Sequence, residues 1–575
     1  MPARTGSTEW GYMTGAEGVV RCLRRAGVGQ VFAIPAVEAT PLFEAFAQGE
    51  LPTVMVTHEQ SAVHMADAHA RATGELSACL LGPGPGLTKA LTGLAEARLD
   101  SSPVLGLVAS PGPAGGFDLL EFARPVCKRV FRLEEPEEVP AAMARAVRLA
   151  LEGEPGPVLV EIPIDVQRRS GRQEGTGFRP EPRELSEEAR AGLEQAAALL
   201  GAARQVGLYA GAGCLSALEE LQRLAETLDA PVATSLSGLG LLPHIHPLSV
   251  GFGPGPAGAP LAQDALARCD LLLAIGCRFS ESATGGLKLG QGVELVHVDI
   301  EPAALGRYVP CKIGVPAPAK AALRHLLDRV QPRKHPEMRE LVRERKRAAR
   351  RALAERPAWL DSVDPLKVFV VLRELMASED VLVLDAGPPA AYGVAAYPVQ
   401  APRTLLLPVD FRASGFAVPA AVAVKLARPD LRVVACAGED GFLQSAAELL
   451  TARRCGVDPV VLVFCEGPRA ELAAFQGRAL GRETLSGLTP VGYGPLAEAL
   501  GVAHQVIRTD AELPAGLKRA LTTEAPVVVE VRVSPRELSA PVQVGARLEA
   551  RRLPRAAALR LAVRALLHRL RGRPG

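Results

Sequence analysis

The sequence lacks paired cysteines, long apolar runs and a strong net charge. None of its ten cysteines forms a CxxC pair, which predicts reduced thiols in a cytoplasmic protein rather than a disulfide framework. No stretch of about 18 apolar residues occurs, and the N-terminus lacks the apolar core of a signal peptide. The formal net charge of +2 argues against nucleic acid as the main partner.

What the sequence does contain is a globular composition over 575 residues, 48% of them hydrophobic, so several domains are expected. Residues 10–172 alternate short apolar runs with helical patterns. "QVFAI" and "PTVMV" are typical of buried strands, whereas "SAVHMADAHARATG" has helical spacing and ends at a glycine. This alternation predicts a doubly wound α/β domain, which a polar linker follows.

Two further α/β domains are predicted by the same alternation. The central domain spans 187–332, with strands in "QVGLYAGAG", "PVATSL", "CDLLLAIGCRF" and "VELVHVDIEP". A charged helical linker covers 333–362, and a third domain covers 363–536, with strands in "DVLVLDAG", "LRVVACAG", "PVVLVFCEG" and "APVVVEVRV". The predicted fold is therefore three doubly wound open-sheet domains in one chain.

Three turns between predicted strands and helices carry candidate functional residues. Glu59 begins a helix, where a carboxylate also has the plain explanation of a favourable helix dipole. The turn of Gly82, Gly84 and Gly86 lets backbone approach a ligand. "GEDGF", residues 438–442, ends a buried strand about five residues before a helical pattern. Such a turn suits an anionic or metal-bridged ligand, or it only caps the helix.

In order and spacing, these segments resemble thiamine-diphosphate-dependent enzymes, especially acetolactate synthases and 2-oxo-acid decarboxylases. The resemblance covers about residues 14–535. Its first-domain segments are "VFAIPAVEATPLFEAF", "THEQSAVHMADAHARATG" and "GPGPGLTKALTGLA". The central domain contributes "LYAGAG", "DLLLAIGCRFSE" and "HVDIEP", and the third domain "GFAVPAAVAVKLARPD" and "FLQSAAELLTARR". The three domains then correspond to pyrimidine-binding, central and diphosphate-binding domains.

The resemblance implies the cofactors thiamine diphosphate and Mg²⁺ and makes Glu59 the catalytic glutamate. A carboxylic acid at the aminopyrimidine favours the imino tautomer, which then removes the thiazolium C2 proton. The implied metal positions are Glu439 and Glu466. The implied cofactor-binding positions are Pro35, Gly84, Gly86, Gly387, Ser414, Gly438, Asp440 and Gly441.

The third domain departs from the family pattern where the metal and the diphosphate would bind. The Gly-Asp-Gly turn of the family is Gly438-Glu439-Asp440, and its paired asparagines are Cys465 and Glu466. A bulky apolar residue is replaced by Ser414, and a polar pair by Pro388-Pro389. In the first domain, Lys89 stands where the family commonly has asparagine. A thiol is a poor ligand for a hard cation, so these changes bear directly on metal binding.

Three functions remain open on this evidence. The first is a decarboxylase or carboligase that acts on a 2-oxo acid, and the second is a non-catalytic family member with a scaffolding or regulatory role. The third is a protein that binds a nucleotide, an acyl-CoA or FAD at the glycine turns "LYAGAGC" and "AIGCRFSE" of the central domain.

The expected partners are a small-molecule substrate and a second copy of the chain. The resemblance implies a homodimer or homotetramer, because the pyrimidine and diphosphate domains of such enzymes meet across subunits. Residues 537–575 form a basic amphipathic pattern that suits either contact with an anionic membrane surface or a solvated helix folded back on the domain.

Overall fold

The structure is a computed structural model that describes residues 8–112, 118–175, 184–255, 258–280, 284, 287, 289–290, 292–465, 476, 489–533 and 563. Glu466 and the basic tail, apart from residue 563, lie outside these residues. Within them, the chain builds three parallel sheets of six strands each. None of the described helices is long and apolar enough to cross a membrane.

The first sheet is fully buried at its centre. From edge to edge its strands are Thr53–Met55, Val31–Ala33, Ser77–Leu81, Val104–Ser110, Val158–Pro163 and Arg129–Arg132. Every residue of Val104–Ser110 is buried, as expected for a parallel strand with helices on both faces. The helices of this part of the chain are Gly15–Arg25, Thr40–Gln48, Glu59–Thr73, Pro85–Leu99, Leu119–Ala123, Val139–Leu151 and Ile164–Arg168.

The second sheet repeats this architecture in the central part of the chain. Its strands in spatial order are Ser249–Phe252, Val232–Thr234, Val206–Ala210, Leu271–Ile275, Glu294–Asp299 and Ile313–Pro316. The accompanying helices are Glu187–Ala202, Leu218–Leu228, Pro260–Leu266 and Ala319–Leu327. The charged stretch after it forms the helix Pro336–Ala354, whose buried residues are Met338, Leu341 and Val342.

The third sheet contains the strand that leads into "GEDGF". Its strands in spatial order are Leu405–Leu406, Val381–Leu384, Val433–Gly438, Val460–Cys465, Val527–Arg532 and Ala503–Ile507. Its helices are Pro365–Leu375, Pro388–Ala396, Ala417–Ala427, Glu439–Ser445, Glu448–Cys455, Tyr493–Leu500 and Leu513–Leu521. The fold class predicted from the sequence, three open-sheet α/β domains, is confirmed.

One segment differs from its predicted role as a linker. Ser170–Gly175 forms a strand that pairs antiparallel with Thr8–Thr14. Its residues alternate between exposed and buried, and the side-chain amide of Gln173 donates to the Thr14 carbonyl. The strand was missed because the buried positions carry glycine and glutamine rather than apolar side chains.

The first and third sheets are joined by a buried charged cluster around Arg71. This arginine, on the Glu59–Thr73 helix, pairs with Asp100 at 3.0 Å and with Asp67 at 3.6 Å. It also donates to the Leu407 carbonyl, and Glu96 accepts from the backbone N–H of Ala413 at 2.8 Å. Because Leu407 and Ala413 belong to the third domain, the cluster fixes two first-domain helices against it.

A second junction links all three parts of the chain. Arg278, which follows the strand Leu271–Ile275, pairs with Glu154 of the first domain at 2.7 Å. The same guanidinium reaches Asp410 of the third domain at 3.2 Å and the Leu99 carbonyl. Arg278 therefore contacts carboxylates of both other domains through one guanidinium.

The Arg71 cluster predicts a pH-dependent stability. Burial, followed by repulsion from Asp100, raises the pKa of Glu96 to about 9. A carboxyl group whose pKa is raised on folding stabilises the fold below its unfolded pKa and loses that contribution as pH rises toward the folded pKa. Burial also raises the pKa of Asp67, to about 6, so part of the loss begins at lower pH.

We therefore expect the wild-type Tm to fall between pH 6 and 9, and Glu96→Gln to lose about 3 °C less over that interval, measured by differential scanning fluorimetry. The exposed Glu121, which pairs with Arg124, supplies the control Glu121→Gln, which should follow the wild type. Parallel curves for Glu96→Gln and the wild type would contradict the assignment of a neutral Glu96.

Candidate active site

The predicted functional residues lie at the carboxyl ends of two sheets, where the strand order reverses. In the first sheet, Val31–Ala33 lies between Thr53–Met55 and Ser77–Leu81. In the third sheet, Val381–Leu384 lies between Leu405–Leu406 and Val433–Gly438. Connections leave such a strand pair in opposite directions, which opens a crevice that commonly binds ligands in α/β folds.

Glu59 occupies the first crevice as the first residue of the helix Glu59–Thr73. The residue is 9% exposed, and its Oε2 lies 3.5 Å from Nζ of Lys89. His58 precedes it and caps the helix, since its Nδ1 accepts from the backbone N–H of Gln60 at 3.1 Å. His58 therefore has a structural role that accounts for its position.

The glycine turn leads from the strand Ser77–Leu81 into the helix Pro85–Leu99. Gly84 has a φ of 60°, in the left-handed region that favours glycine. A Cβ at Gly86 would lie 3.4 Å from Oε1 of Glu59, so this glycine packs directly beside the carboxylate. Pro35 is exposed after the strand Val31–Ala33, and Ala36 lies 3.6 Å from the Cβ position of Gly82. The structure thus brings the predicted first-domain residues to one edge of the sheet.

In the third domain, Asp385 organises the segment around Ser414, a position that the resemblance assigns to cofactor binding. This fully buried carboxylate accepts from the backbone N–H groups of Ala386, Gly415 and Ala417 at 2.8–3.1 Å. Burial raises the pKa of Asp385 to about 6 against the opposing effect of these donors. Asp385 was not predicted from the sequence, although its position directly after an apolar strand was a usable signal.

Gly441 is required by this arrangement. A Cβ at Gly441 would lie 2.8 Å from Oδ1 of Asp385, which is closer than real side chains come. Gly438 has open space around its Cβ position and a φ of −73°. The helix begins at Glu439, so the predicted gap of about five residues after Gly438 was wrong.

Glu439 contacts a phenol rather than a group of acidic neighbours. The hydroxyl of the buried Tyr493 donates to its Oε1 at 3.1 Å. Burial, with the nearby Glu439 carboxylate next, raises the pKa of Tyr493, so the phenol remains protonated. Tyr493 was missed because it lies 54 residues away in sequence with no motif of its own.

The other positions near the predicted metal site supply few ligands for a metal ion. Burial raises the pKa of the Cys465 thiol to about 12, which leaves it neutral, and Asp440 is exposed. Glu466 lies outside the described residues. Across the part of the chain that the structure describes, no group of three His, Cys, Asp or Glu side chains is placed to hold a metal ion. Among the described residues, Glu439 is engaged by a phenol and Cys465 is a neutral thiol, so these two positions offer Mg²⁺ poor ligands. Glu59 and the glycine turn lie together, as the pyrimidine end implied by the resemblance requires.

Ser414 connects the two crevices. Its carbonyl accepts from the side-chain amide of Gln60 at 3.1 Å, and its hydroxyl accepts from Gln444 at 3.1 Å. Because Gln60 follows Glu59, the catalytic candidate and the third-domain turn are held at a fixed separation. Neither glutamine was singled out from the sequence.

Gly387 and the two prolines after it have a local explanation. Gly387 has a φ of 104° and caps the helix Pro388–Ala396. Pro388 and Pro389 occupy its first two positions, where the missing N–H groups cost nothing.

The glycine turns of the central domain pack against each other. A Cβ at Gly213 would lie 2.7 Å from the Cα of Gly276, and the N–H of Gly213 donates to the Gly276 carbonyl at 3.1 Å. The N–H of Gly211 donates to the Ile275 carbonyl. Backbone packing accounts for these glycines, so they do not support a nucleotide or FAD site.

Comparisons with known proteins agree on all three domains. The N-terminal TPP binding domain of thiamine pyrophosphate enzymes matches residues 13–114, the central domain 193–326 and the C-terminal TPP binding domain 385–531. The chain is 30% identical to a probable acetolactate synthase large subunit of Methanocaldococcus jannaschii, with 93% of this chain and 94% of that protein covered. It is 32% identical to the acetolactate synthase large subunit of Corynebacterium glutamicum, with 90% and 86% covered.

The contrast between Gly441 and Gly438 gives a test of the third-domain turn. Gly441→Ala should destabilise the protein by about 1–3 kcal/mol, because the new methyl group overlaps the Asp385 carboxylate. Gly438→Ala, three residues away, should change stability by less than about 1 kcal/mol. Thermal unfolding of both variants measures the difference, and equal losses would contradict the close contact with Asp385.

Proposed function

Because the chain belongs to the thiamine pyrophosphate enzyme family, we propose that it is a thiamine-diphosphate-dependent carboligase or decarboxylase acting on a 2-oxo acid. The relatives named above are acetolactate synthases, so an acetolactate synthase-like reaction is the specific proposal. A purely scaffolding role is not favoured, since these relatives are enzymes and Glu59 retains its place.

The observation that carries this proposal is the position of Glu59. Its carboxylate is mostly buried and lies at a helix start. Gly86 beside it has no side chain, so no Cβ lies against Oε1 of Glu59. When bound, thiamine diphosphate supplies the nucleophilic carbon and the electron sink for decarboxylation. Glu59 would hold a proton at the ring nitrogen of the aminopyrimidine, and the carboxyl group acts there as an acid–base group.

The remaining residues position and enclose the ligand. Gly84 and Gly86 would receive the pyrimidine end, with Pro35 at the rim. In the third domain Gly387, Ser414, Gly438, Asp440 and Gly441 line the proposed diphosphate side of the crevice. Asp385 holds the segment after Ser414 by accepting from the backbone N–H groups of Gly415 and Ala417, so it positions this side rather than contacting substrate.

We keep the division into 10–172, 187–332, 333–362, 363–536 and 537–575 as the proposed domain plan. A homodimer or homotetramer in the cytoplasm is likewise proposed. The family pattern assigns Mg²⁺ to Glu439 and Glu466. The described donors do not support this metal site, so no catalytic step is assigned to Mg²⁺.

Replacement of Glu59 tests the proposed function. Glu59→Gln should lower turnover of pyruvate, used as the probe 2-oxo acid, by a factor of about 10²–10⁴, because the amide cannot exchange the proton. Glu188→Gln is a matched control, since Glu188 is an exposed carboxylate in the first turn of another helix. Calorimetric titration with thiamine diphosphate accompanies the assay. Absence of binding by the wild type at millimolar cofactor would overturn the function.

Replacement of Tyr493 tests whether Glu439 can become a metal ligand. Tyr493→Phe removes the hydroxyl that donates to Glu439 while keeping the buried ring. If this hydrogen bond competes with a metal, the variant should gain about tenfold in Mg²⁺-dependent affinity for thiamine diphosphate, a change of about 1.4 kcal/mol. Affinity that is independent of Mg²⁺ in both proteins would exclude Glu439 as a ligand.

A further inference from the structure

We propose that Glu448 is a positioning residue that holds Glu59 in place across the boundary between the third and first domains. This inference rests on the proposed function, because Glu59 is the residue that carries that function. Its basis is a set of hydrogen bonds from Thr57, two residues before Glu59, to the Glu448 carboxylate. Glu448 begins the helix Glu448–Cys455, the second helix after the strand Val433–Gly438.

The first sheet alone gives the segment before Glu59 limited support. Thr53–Met55 is a three-residue strand at the edge of that sheet, where it pairs with Val31–Ala33. The N–H of Val56 extends this pairing by donating to the Ala33 carbonyl at 2.9 Å, and Thr57 follows it. Because a short edge strand is held by few hydrogen bonds, the position of the residues after it depends on contacts from outside the sheet.

Glu448 supplies such a contact. Its Oε1 accepts from the Thr57 hydroxyl at 2.5 Å and from the Thr57 backbone N–H at 3.1 Å. Its Oε2 lies 3.3 Å from the same N–H and accepts from the hydroxyl of Thr451 at 2.7 Å. Glu448 is fully buried, so its carboxylate meets these donors rather than water, and hydrogen bonds to a carboxylate are strong in such surroundings.

Two further residues of the same helix complete the contact. Glu448, Thr451 and Arg454 are spaced three residues apart and therefore lie along one face of the helix. Arg454 donates to the Met55 carbonyl and, at 3.3 Å, to the Thr451 hydroxyl. The helix thus contacts both ends of the segment from Met55 to Thr57, and these residues lead directly into the helix that Glu59 begins.

The contact at Thr57 fixes Glu59 because only His58 separates the two residues. His58 is the N-cap of the helix, and its ring accepts from the backbone N–H of Gln60. Both residues before Glu59 are therefore held, Thr57 by the third domain and His58 by its own helix. A displacement of about 1 Å at a reacting group is enough to lower a catalytic rate about 10²-fold. Loss of the Glu448 contact should therefore affect proton transfer at Glu59 more than it affects folding.

The first test needs no cofactor. Amide hydrogen–deuterium exchange, followed by mass spectrometry, compares the wild type with Glu448→Gln, which keeps the side-chain size but replaces one acceptor oxygen with a donor. Exchange in peptides that cover residues 53–60 should become about tenfold faster, whereas exchange in Val104–Ser110 should not change. Glu220→Gln is the matched control, because Glu220 is also a buried carboxylate but pairs with Arg324 in the central domain. Unchanged exchange in residues 53–60, or equal acceleration in both segments, overturns the inference.

The second test measures the effect on Glu59 and adds a milder variant. Thr57 is exposed, so Thr57→Val removes its hydroxyl without opening a cavity, and Thr57→Ser keeps the hydroxyl. Exchange of the C2 hydrogen of bound thiamine diphosphate with heavy water, measured by NMR, reports the proton transfer that Glu59 is proposed to support. Glu448→Gln and Thr57→Val should each slow this exchange about tenfold or more, with thiamine diphosphate affinity within about threefold of the wild type. Thr57→Ser should match the wild type.

The double variant decides whether the two residues act through one contact. Thr57→Val combined with Glu448→Gln should be no slower than the slower single variant, because both changes weaken the same hydrogen bonds. Losses that multiply, or a loss of affinity that accounts for the slower exchange, indicate support of the fold alone and overturn the inference. If the wild type binds no cofactor, the proposed function fails, while the amide exchange still decides whether Glu448 holds the start of the Glu59 helix.

Discussion

The burial of Arg71 among three carboxylates is the constraint on which the candidate site depends. A guanidinium at this depth requires partners, and those partners come from the helix that begins with Glu59, from the helix that carries Lys89, and from the third-domain segment before Ser414. The same contacts that satisfy the charge also fix the distance between the two crevices. The cluster holds more negative than positive groups, and burial together with repulsion from Asp100 raises the pKa of Glu96, which favours its neutral form.

The two crevices follow from sheet topology, and the sequence predicted the doubly wound class of each sheet but not its strand order. Strands such as Val104–Ser110 and Val433–Gly438 are continuous apolar runs, which a parallel sheet covered on both faces requires. The sequence therefore predicted that Glu59 and the glycine turn follow strand ends, where the structure has them. The strand Ser170–Gly175 was not, because its alternation is carried by glycine and glutamine and its stability depends on the partner strand Thr8–Thr14.

Side-chain partners across the fold could not be predicted in the same way. The hydrogen bond from Tyr493 to Glu439 joins positions with no periodic relation, and the overlap between a Cβ at Gly441 and Asp385 depends on the separation of two strands. Lys89, which stands where the family commonly has asparagine, has its ammonium beside Glu59, a contact that the sequence did not predict. Residue type limits what a group can do, but only the tertiary structure decides which of several possible partners it has.

The Glu59 end and the Glu439 end of the candidate site therefore differ in how closely they follow the family pattern. At the proposed pyrimidine end, Glu59 lies at a helix start with Gly86 beside it. At the metal end, the short aspartate of the family pattern is replaced by Glu439, whose longer side chain reaches a phenol instead. A hydrogen bond from a neutral donor stabilises that carboxylate without adding positive charge, so it does not offset the charge of a diphosphate. Any binding of the diphosphate must then draw its compensation from outside the Glu439–Tyr493 pair, and this requirement distinguishes the present site from the family pattern.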